Sequence, residues 1–253
     1  MEYPFDALHA GIESQILNLP AGIPDSQAIR QAKSLPDSVE KFRALGKALS
    51  RQLRYREAID AYTEGLKLEP ENLSLLRLRA GRYLTTRQSD PAIADFEKCL
   101  TLGAEKLDCL YRIGLAQYYA GRYEQAMEAF EDCMPLCDDE MGIAVLYWHT
   151  LSAVRTEKAP TLLKYDRPDM AVGHHTAYEK AMRVWSGTTP LAAALEMLER
   201  EEDDLEYGIT LYGLLWHPDC AERERLFQSL LRRDGFWPSF AYLAAWKDWA
   251  GAQ

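Results

Sequence analysis

The stretch "YREAIDAYTEGLKLEPEN", Tyr55–Asn72, carries alanine, an aromatic and glycine at Ala58, Tyr62 and Gly65. Each has a counterpart 34 residues on in "DPAIADFEKCLTLGAE", at Ala92, Phe96 and Cys99. Each recurs again after 34 more in "RYEQAMEAFEDCMPLCDD", at Ala126, Phe130 and Cys133. An upstream set keeps the same step: Gly46, Ala80 and Gly114 coincide, and Leu45 matches Ile113 with Arg79 as an outlier between them. A fixed period of this length, with small residues in two places and an aromatic in a third, specifies stacked helix pairs.

Apolar residues at helical spacing place the first helix of each pair at roughly 39–52, 73–86 and 106–120, and the second at roughly 55–69, 91–102 and 123–137. The small residues let two helices approach closely, and the aromatic four residues after the alanine fills the space between neighbouring pairs. Asp90 followed by Pro91 reads as an N-cap and first helical residue. Pro70 and Gly103 read as stops.

The pattern resembles the tetratricopeptide repeat (TPR) family over residues 39–140, where three units sit in register without gaps. The family's aromatic near the start of each unit is kept as Phe42 and replaced by Leu76 and Leu110, and its central glycine survives only as Gly121. The resemblance implies an all-α superhelical solenoid that binds protein segments. The expected organisation is an N-terminal helical cap over 1–37, three repeat units over 38–140 and an irregular helical half over 141–253. Within 1–37, "FDALHAGIESQILNL" reads as a helix, and the stretch around Pro20, Pro24 and Pro36 reads as a loop.

After residue 140 the register changes. The next first helix, about 141–156, places Trp148 in the small slot, and Pro160 falls where alanine is expected. A proline forbids a helix interior there, so 157–170 reads as a loop or short helix. Further helices are expected at about 173–186, 190–202, 204–216, 219–233 and 238–250, with Phe227 at the repeat's aromatic position. Phe240, Leu243 and Trp246 would seal the end of the stack. The segment "AYEKAMRVWSGTTPLAAALEML" and the helices after it resemble bacterial TPR scaffolds of the NlpI type, which implies a bacterial scaffold that recruits enzymes.

Composition narrows the class. The chain has 253 residues, 47% hydrophobic and 27% charged, with a net charge of -10. That balance disfavours nucleic acid, whose binders neutralise phosphates with cations. The start "MEYPFDALHAGIESQIL" shows no leader pattern, no apolar stretch approaches a membrane span, and five cysteines form no disulfide framework. A cytoplasmic protein without membrane partner is the expectation.

Chemistry-bearing motifs are sparse. Cys133 and Cys137 lie four apart on one helix, either as a redox or half-metal pair or as small apolar fillers. His174 and His175 diverge on a helix, and no other ligands complete a zinc set. The acidic run 199–206 lacks the order of a calcium loop. No phosphate loop, dinucleotide fingerprint or nucleophile elbow is present. No cofactor, metal or catalytic residue is therefore expected.

Carrying the family's concave positions onto this chain gives a polarised groove. Arg43, Lys47, Arg51 and Arg77 make one end basic, and Tyr111, Leu115, Tyr118 and Tyr119 make the other aromatic, with His149 from the following helix. Arginine and tyrosine are enriched in binding hot spots. The bland alternative is a solvated basic face with tyrosines packed under the helices after 141. Some TPR proteins hold a chaperone's acidic tail in a carboxylate clamp. Here Arg43, Lys47 and Arg112 match in charge, but Leu78 replaces an asparagine and Asp108 a lysine, which argues against that ligand. The expected function is a non-enzymatic adaptor for acidic and apolar protein segments, with homo-oligomerisation open. The rivals are an enzyme or regulator with a small-molecule pocket around Trp148, Tyr178 and Trp185, and a subunit self-associating through its aromatic C-terminus.

Overall fold

The computed structural model describes residues 24–233, 235 and 237–251. Among them are thirteen α-helices and no strand. The chain divides into two compact units at residue 117, inside the third repeat unit.

The first unit contains α1 (Gln27–Lys33), α2 (Val39–Arg51), α3 (Tyr55–Leu68), α4 (Leu73–Thr85), α5 (Ser89–Thr101) and most of α6 (Lys106–Tyr119). Gly46 of α2 faces the Tyr62 ring of α3 so closely that a Cβ at residue 46 would overlap it. The small slot therefore exists to admit the partner's aromatic. Ala58, Ala80, Ala92 and Phe96 are fully buried, as the period requires. Between successive pairs, Leu75 packs against Gly65. The outlier Arg79 has its own partner: it forms a forked pair with Asp95 of α5 at 2.7 and 2.8 Å and bonds Thr63 at 3.1 Å.

Two expectations need correction. α1 lies in the stretch read as a loop; Ser26 caps it, accepting from the Ile29 amide at 3.3 Å, and Ile29 and Ala32 are buried. Prolines on both sides had hidden a seven-residue helix. Asp90 is also not an N-cap, because α5 begins at Ser89. Pro91 sits in the first turn, where a missing N–H costs no hydrogen bond. The helix expected in "FDALHAGIESQILNL" lies outside the described residues.

The second unit continues with α7 (Tyr123–Cys133), α8 (Asp139–Arg155), α9 (Thr176–Trp185), α10 (Leu191–Leu198), α11 (Asp204–Leu215), α12 (Arg223–Leu231) and α13 (Phe240–Gly251). Short 3-10 turns occupy Met134–Leu136 and Thr161–Tyr165. α8 is the centre of this unit: its twelve residues from Gly142 to Ala153 are all buried, as in a helix covered on every side. The small-for-large rule is inverted here. Tyr147 and Trp148 are fully buried, and the glycine that makes room is Gly213 of α11, where a Cβ would overlap the Tyr147 ring. Leu243 and Trp246 are buried, and so is Phe227.

Candidate peptide-binding site

The first helices of two successive pairs, α2 and α4, line a cavity of about 270 Å³ in the first unit. Lys47 and Arg51, four apart on α2, share one helix face. Arg77, Gly81 and Arg82 come from α4, and Arg112 from α6. Ser50, Tyr62 and Leu78 complete the wall. Among the described residues the lining thus holds five cations and no carboxylate.

One carboxylate stands behind two of those cations. Arg77 grips Asp108 with a fork of 2.7 and 2.9 Å, and Arg112 reaches the same carboxylate at 2.9 Å. Burial works against ionisation of Asp108, but the two arginines outweigh it and hold its carboxyl below the usual range. Arg82 lies over the Tyr55 ring at 4.7 Å. Among the described residues no carboxylate pairs with Lys47, Arg51 or Arg82.

The basic end of the expected groove is brought together only in part. Lys47, Arg51 and Arg77 line the cavity, whereas Arg43 is half-buried and lies outside its lining. The aromatic end is core. Tyr111, Leu115, Tyr118, Tyr119 and His149 are all buried. Tyr118 shares a hydrogen bond with the Tyr212 hydroxyl at 2.7 Å and meets the Tyr123 and Trp148 rings edge-on at 5.1 Å each. Tyr119 donates to the Phe240 carbonyl at 2.9 Å. His149 contacts Glu131 at 3.2 Å; burial disfavours its charged form more than Glu131 restores it, so its pKa falls below the ordinary value. Later helices of the second unit meet Tyr118 and Tyr119, which a transfer of concave positions from an open repeat array does not anticipate.

Arg82 was not among the transferred positions, yet the signal exists. At a step of 34 it stands between Ala48 and Ala116, a cation in a slot that is otherwise alanine.

The other candidates resolve into packing. Trp148 and Tyr178 are buried, Tyr178 meets Tyr147 edge-on at 5.0 Å, and Trp185 donates its indole N–H to the Gly213 carbonyl at 3.0 Å. All five cysteines are free thiols. Burial pushes the Cys99 thiol up to about 12, which leaves it unreactive at neutral pH. Cys133 is buried in its small slot, and Cys137 bonds its carbonyl at 3.3 Å. Among the described residues no three His, Cys, Asp or Glu gather as a metal site. No helix among them is long and apolar enough to cross a membrane.

Helix pairs at a 34-residue step, with a cationic concavity between successive first helices, define a helical-repeat protein. This repeat is similar to the tetratricopeptide repeat, whose family description matches residues 107–136. Small glutamine-rich tetratricopeptide repeat-containing protein 2 of Saccharomyces cerevisiae is 26% identical over 162 residues, covering 60% of this chain and 47% of that protein. The heat-shock protein cognate co-chaperone sgt12 of Aspergillus fumigatus is 30% identical over 107 residues, covering 42% and 31%. The Hsp70-Hsp90 organizing protein of Triticum aestivum is 28% identical over 96 residues, covering 38% and 16%. The matched region spans less than half the length of each of these relatives. They are eukaryotic, and they lend no support to a bacterial, NlpI-type reading of the C-terminal half.

Proposed function

We propose that this chain is a non-enzymatic adaptor that binds acidic segments of other proteins in the cavity between α2 and α4. The observation that carries this reading is a lining of five cations, without a carboxylate among the described residues, in a chain whose total charge is -10. Guanidinium forks hold carboxylates with paired hydrogen bonds, and a concave repeat face receives an extended or helical segment. The basic half of the expected groove supplies the recognition, because the aromatic half is occupied by packing. The five free cysteines suit a reducing compartment such as the cytoplasm.

A second reading is that the segment is the acidic tail of a chaperone. The name of the wheat relative links that protein to Hsp70 and Hsp90, and the name of the Aspergillus relative links that one to a heat-shock protein cognate. The repulsion expected from Asp108 is also cancelled here by Arg77 and Arg112. Leu78 in the cavity wall still replaces the amide that the clamp uses.

The test is fluorescence anisotropy with acidic peptides, some ending in a free acidic C-terminus and some carrying the acids internally. Reversing Lys47 and Arg51 to Glu should weaken binding at least tenfold while the helical signal stays intact. Affinity should also fall as salt rises, because exposed charges are screened beyond about 10 Å at 0.1 M. Unchanged binding by the folded double variant would remove the cavity from the reading. A preference for the free acidic C-terminus would favour the chaperone tail.

A further inference from the structure

We propose that the cavity between α2 and α4 is a phosphate site, and that its ligand is a peptide segment bearing phosphoserine or phosphothreonine. This rests on the reading of the cavity as an acidic-peptide site and specifies the anion it takes.

Charge pairing within the first unit is the first observation. Carboxylates outnumber cations in the chain, 39 to 29, and many cations elsewhere in this unit find them. Arg54 holds Asp25 and Glu57, Arg79 holds Asp95, and Lys98 holds Glu71. Lys47, Arg51 and Arg82 line one cavity and pair with no carboxylate among the described residues. Three cations gathered in one cavity, with no carboxylate partner among the described residues, mark a place suited to an anion from outside.

Gly81 is the second observation. It lies inside α4, where glycine is less favourable than alanine. Nothing in the fold asks for it: a Cβ there would meet no atom within 4 Å, and its φ is not positive. This differs from Gly46, whose missing Cβ admits the Tyr62 ring. What the absent side chain at residue 81 does leave open is the wall of the cavity.

The chemistry of the lining separates a phosphate from a carboxylate. The Asp108 carboxylate already occupies the Arg77 fork and one bond of Arg112, so a single carboxylate is matched by that pair. The remaining donors are Lys47, Arg51 and Arg82, with the hydroxyl-bearing Ser50 and Tyr62 in the wall and no side-chain amide. A phosphomonoester offers three terminal oxygens and close to two negative charges at neutral pH. A carboxylate offers two oxygens and one charge. Arginine forks suit phosphate geometry. A volume of about 270 Å³ is roughly nine times the 30 Å³ share of one water, enough for one phosphorylated side chain.

The experiment uses the full chain and three matched degenerate peptide libraries, with phosphoserine, glutamate or serine at the fixed central position. Retention is measured for wild type, Gly81→Glu and Arg51→Glu, each checked by its melting temperature. Retention on the phosphoserine library at least tenfold above the other two is expected. Gly81→Glu should lose it without a lower melting temperature, since its side chain enters open space. Equal retention on the glutamate and phosphoserine libraries, both lost in Gly81→Glu, overturns the phosphate inference and leaves the acidic-peptide reading standing. Phosphoserine retention that survives both substitutions, or no retention on any library, overturns both. Displacement of the phosphopeptides by millimolar inorganic phosphate as effectively as by competing phosphopeptide means that a free anion is the ligand, and overturns the peptide assignment.

Discussion

At the scale of single residues, the backbone repeats as faithfully as the side chains do. Leu53, Arg87 and Gly121 lie 34 apart in the turns that follow α2, α4 and α6, and all have positive φ, of 61°, 56° and 75°. The same bond follows each: the amide of Arg54 donates to the Leu49 carbonyl, that of Gln88 to Tyr83, and that of Arg122 to Gln117, at 3.0, 2.8 and 2.9 Å. This is a helix ended by a left-handed residue, for which glycine carries no steric penalty. Only Gly121 was visible in the sequence as such a position, because nothing about a leucine or an arginine advertises a positive φ. The strain predicts opposite outcomes for two substitutions. Gly121→Ala should cost about 1–2 kcal/mol, although space is ample, since its Cβ would approach only the Lys247 amine at 3.8 Å. Leu53→Gly should be neutral or stabilising by up to about 1 kcal/mol, with relief of strain partly offset by a freer unfolded chain. Urea unfolding of the two variants checks this; equal losses would mean that the turns are not strained alike.

Between helices, two glycines of similar appearance have opposite meanings. Gly46 and Gly81 both lie inside first helices, but only Gly46 occupies a small slot of the repeat, whereas Gly81 aligns with Lys47 and Leu115. A Cβ at residue 46 would overlap the Tyr62 ring, whereas one at residue 81 meets nothing. Gly46→Ala should therefore destabilise by about 1–3 kcal/mol through overpacking. Gly81→Ala should stabilise by about 0.5–1 kcal/mol by restoring helix propensity. Thermal melts that shift in the same direction for both would mean the register of α2 against α3 is wrong. The sequence alone gave the pairing of elements here and the purpose of Gly46, since the 34-residue step aligns it with Ala80 and Gly114. It did not reveal α1, whose seven residues show too short an apolar pattern between prolines. It also misplaced the start of α5, because Asp90 has the chemistry of a cap but stands one residue inside the helix.

Over the whole molecule, the repeat made residues 39–140 readable as helix pairs, and the basic side of the candidate site came with them. Burial of Tyr118 and Tyr119 was not readable, because a period tells which face of a helix a residue occupies and not whether a later helix covers that face. The covering helices belong to the second unit, where the repeat pattern has faded and a buried charge joins distant segments. Arg155, at the end of α8, pairs with Asp248 of α13 at 2.9 Å and lies over the Trp216 and Tyr123 rings at 3.9 and 4.5 Å. The Tyr212 hydroxyl of α11 donates to the same carboxylate at 2.7 Å, and Tyr118 bonds Tyr212 in turn. The Asp248 side chain is 4% exposed and that of Arg155 19%, so water does little to screen the pair. Asp248 also has Lys247 at 3.5 Å, but its removal leaves Arg155 as an uncompensated buried charge. Asp248→Ala should cost about 3–5 kcal/mol, measured by urea unfolding of the whole chain through tryptophan fluorescence. Replacing both, as Arg155→Met with Asp248→Leu, removes the desolvation cost along with the attraction and keeps an apolar stem between the rings. That double variant should recover most of the loss, and Tyr212 would still have the Tyr118 hydroxyl as a partner. A double variant as unstable as Asp248→Ala would mean that the carboxylate matters chiefly as the acceptor for Tyr212 and not as the counterion of Arg155.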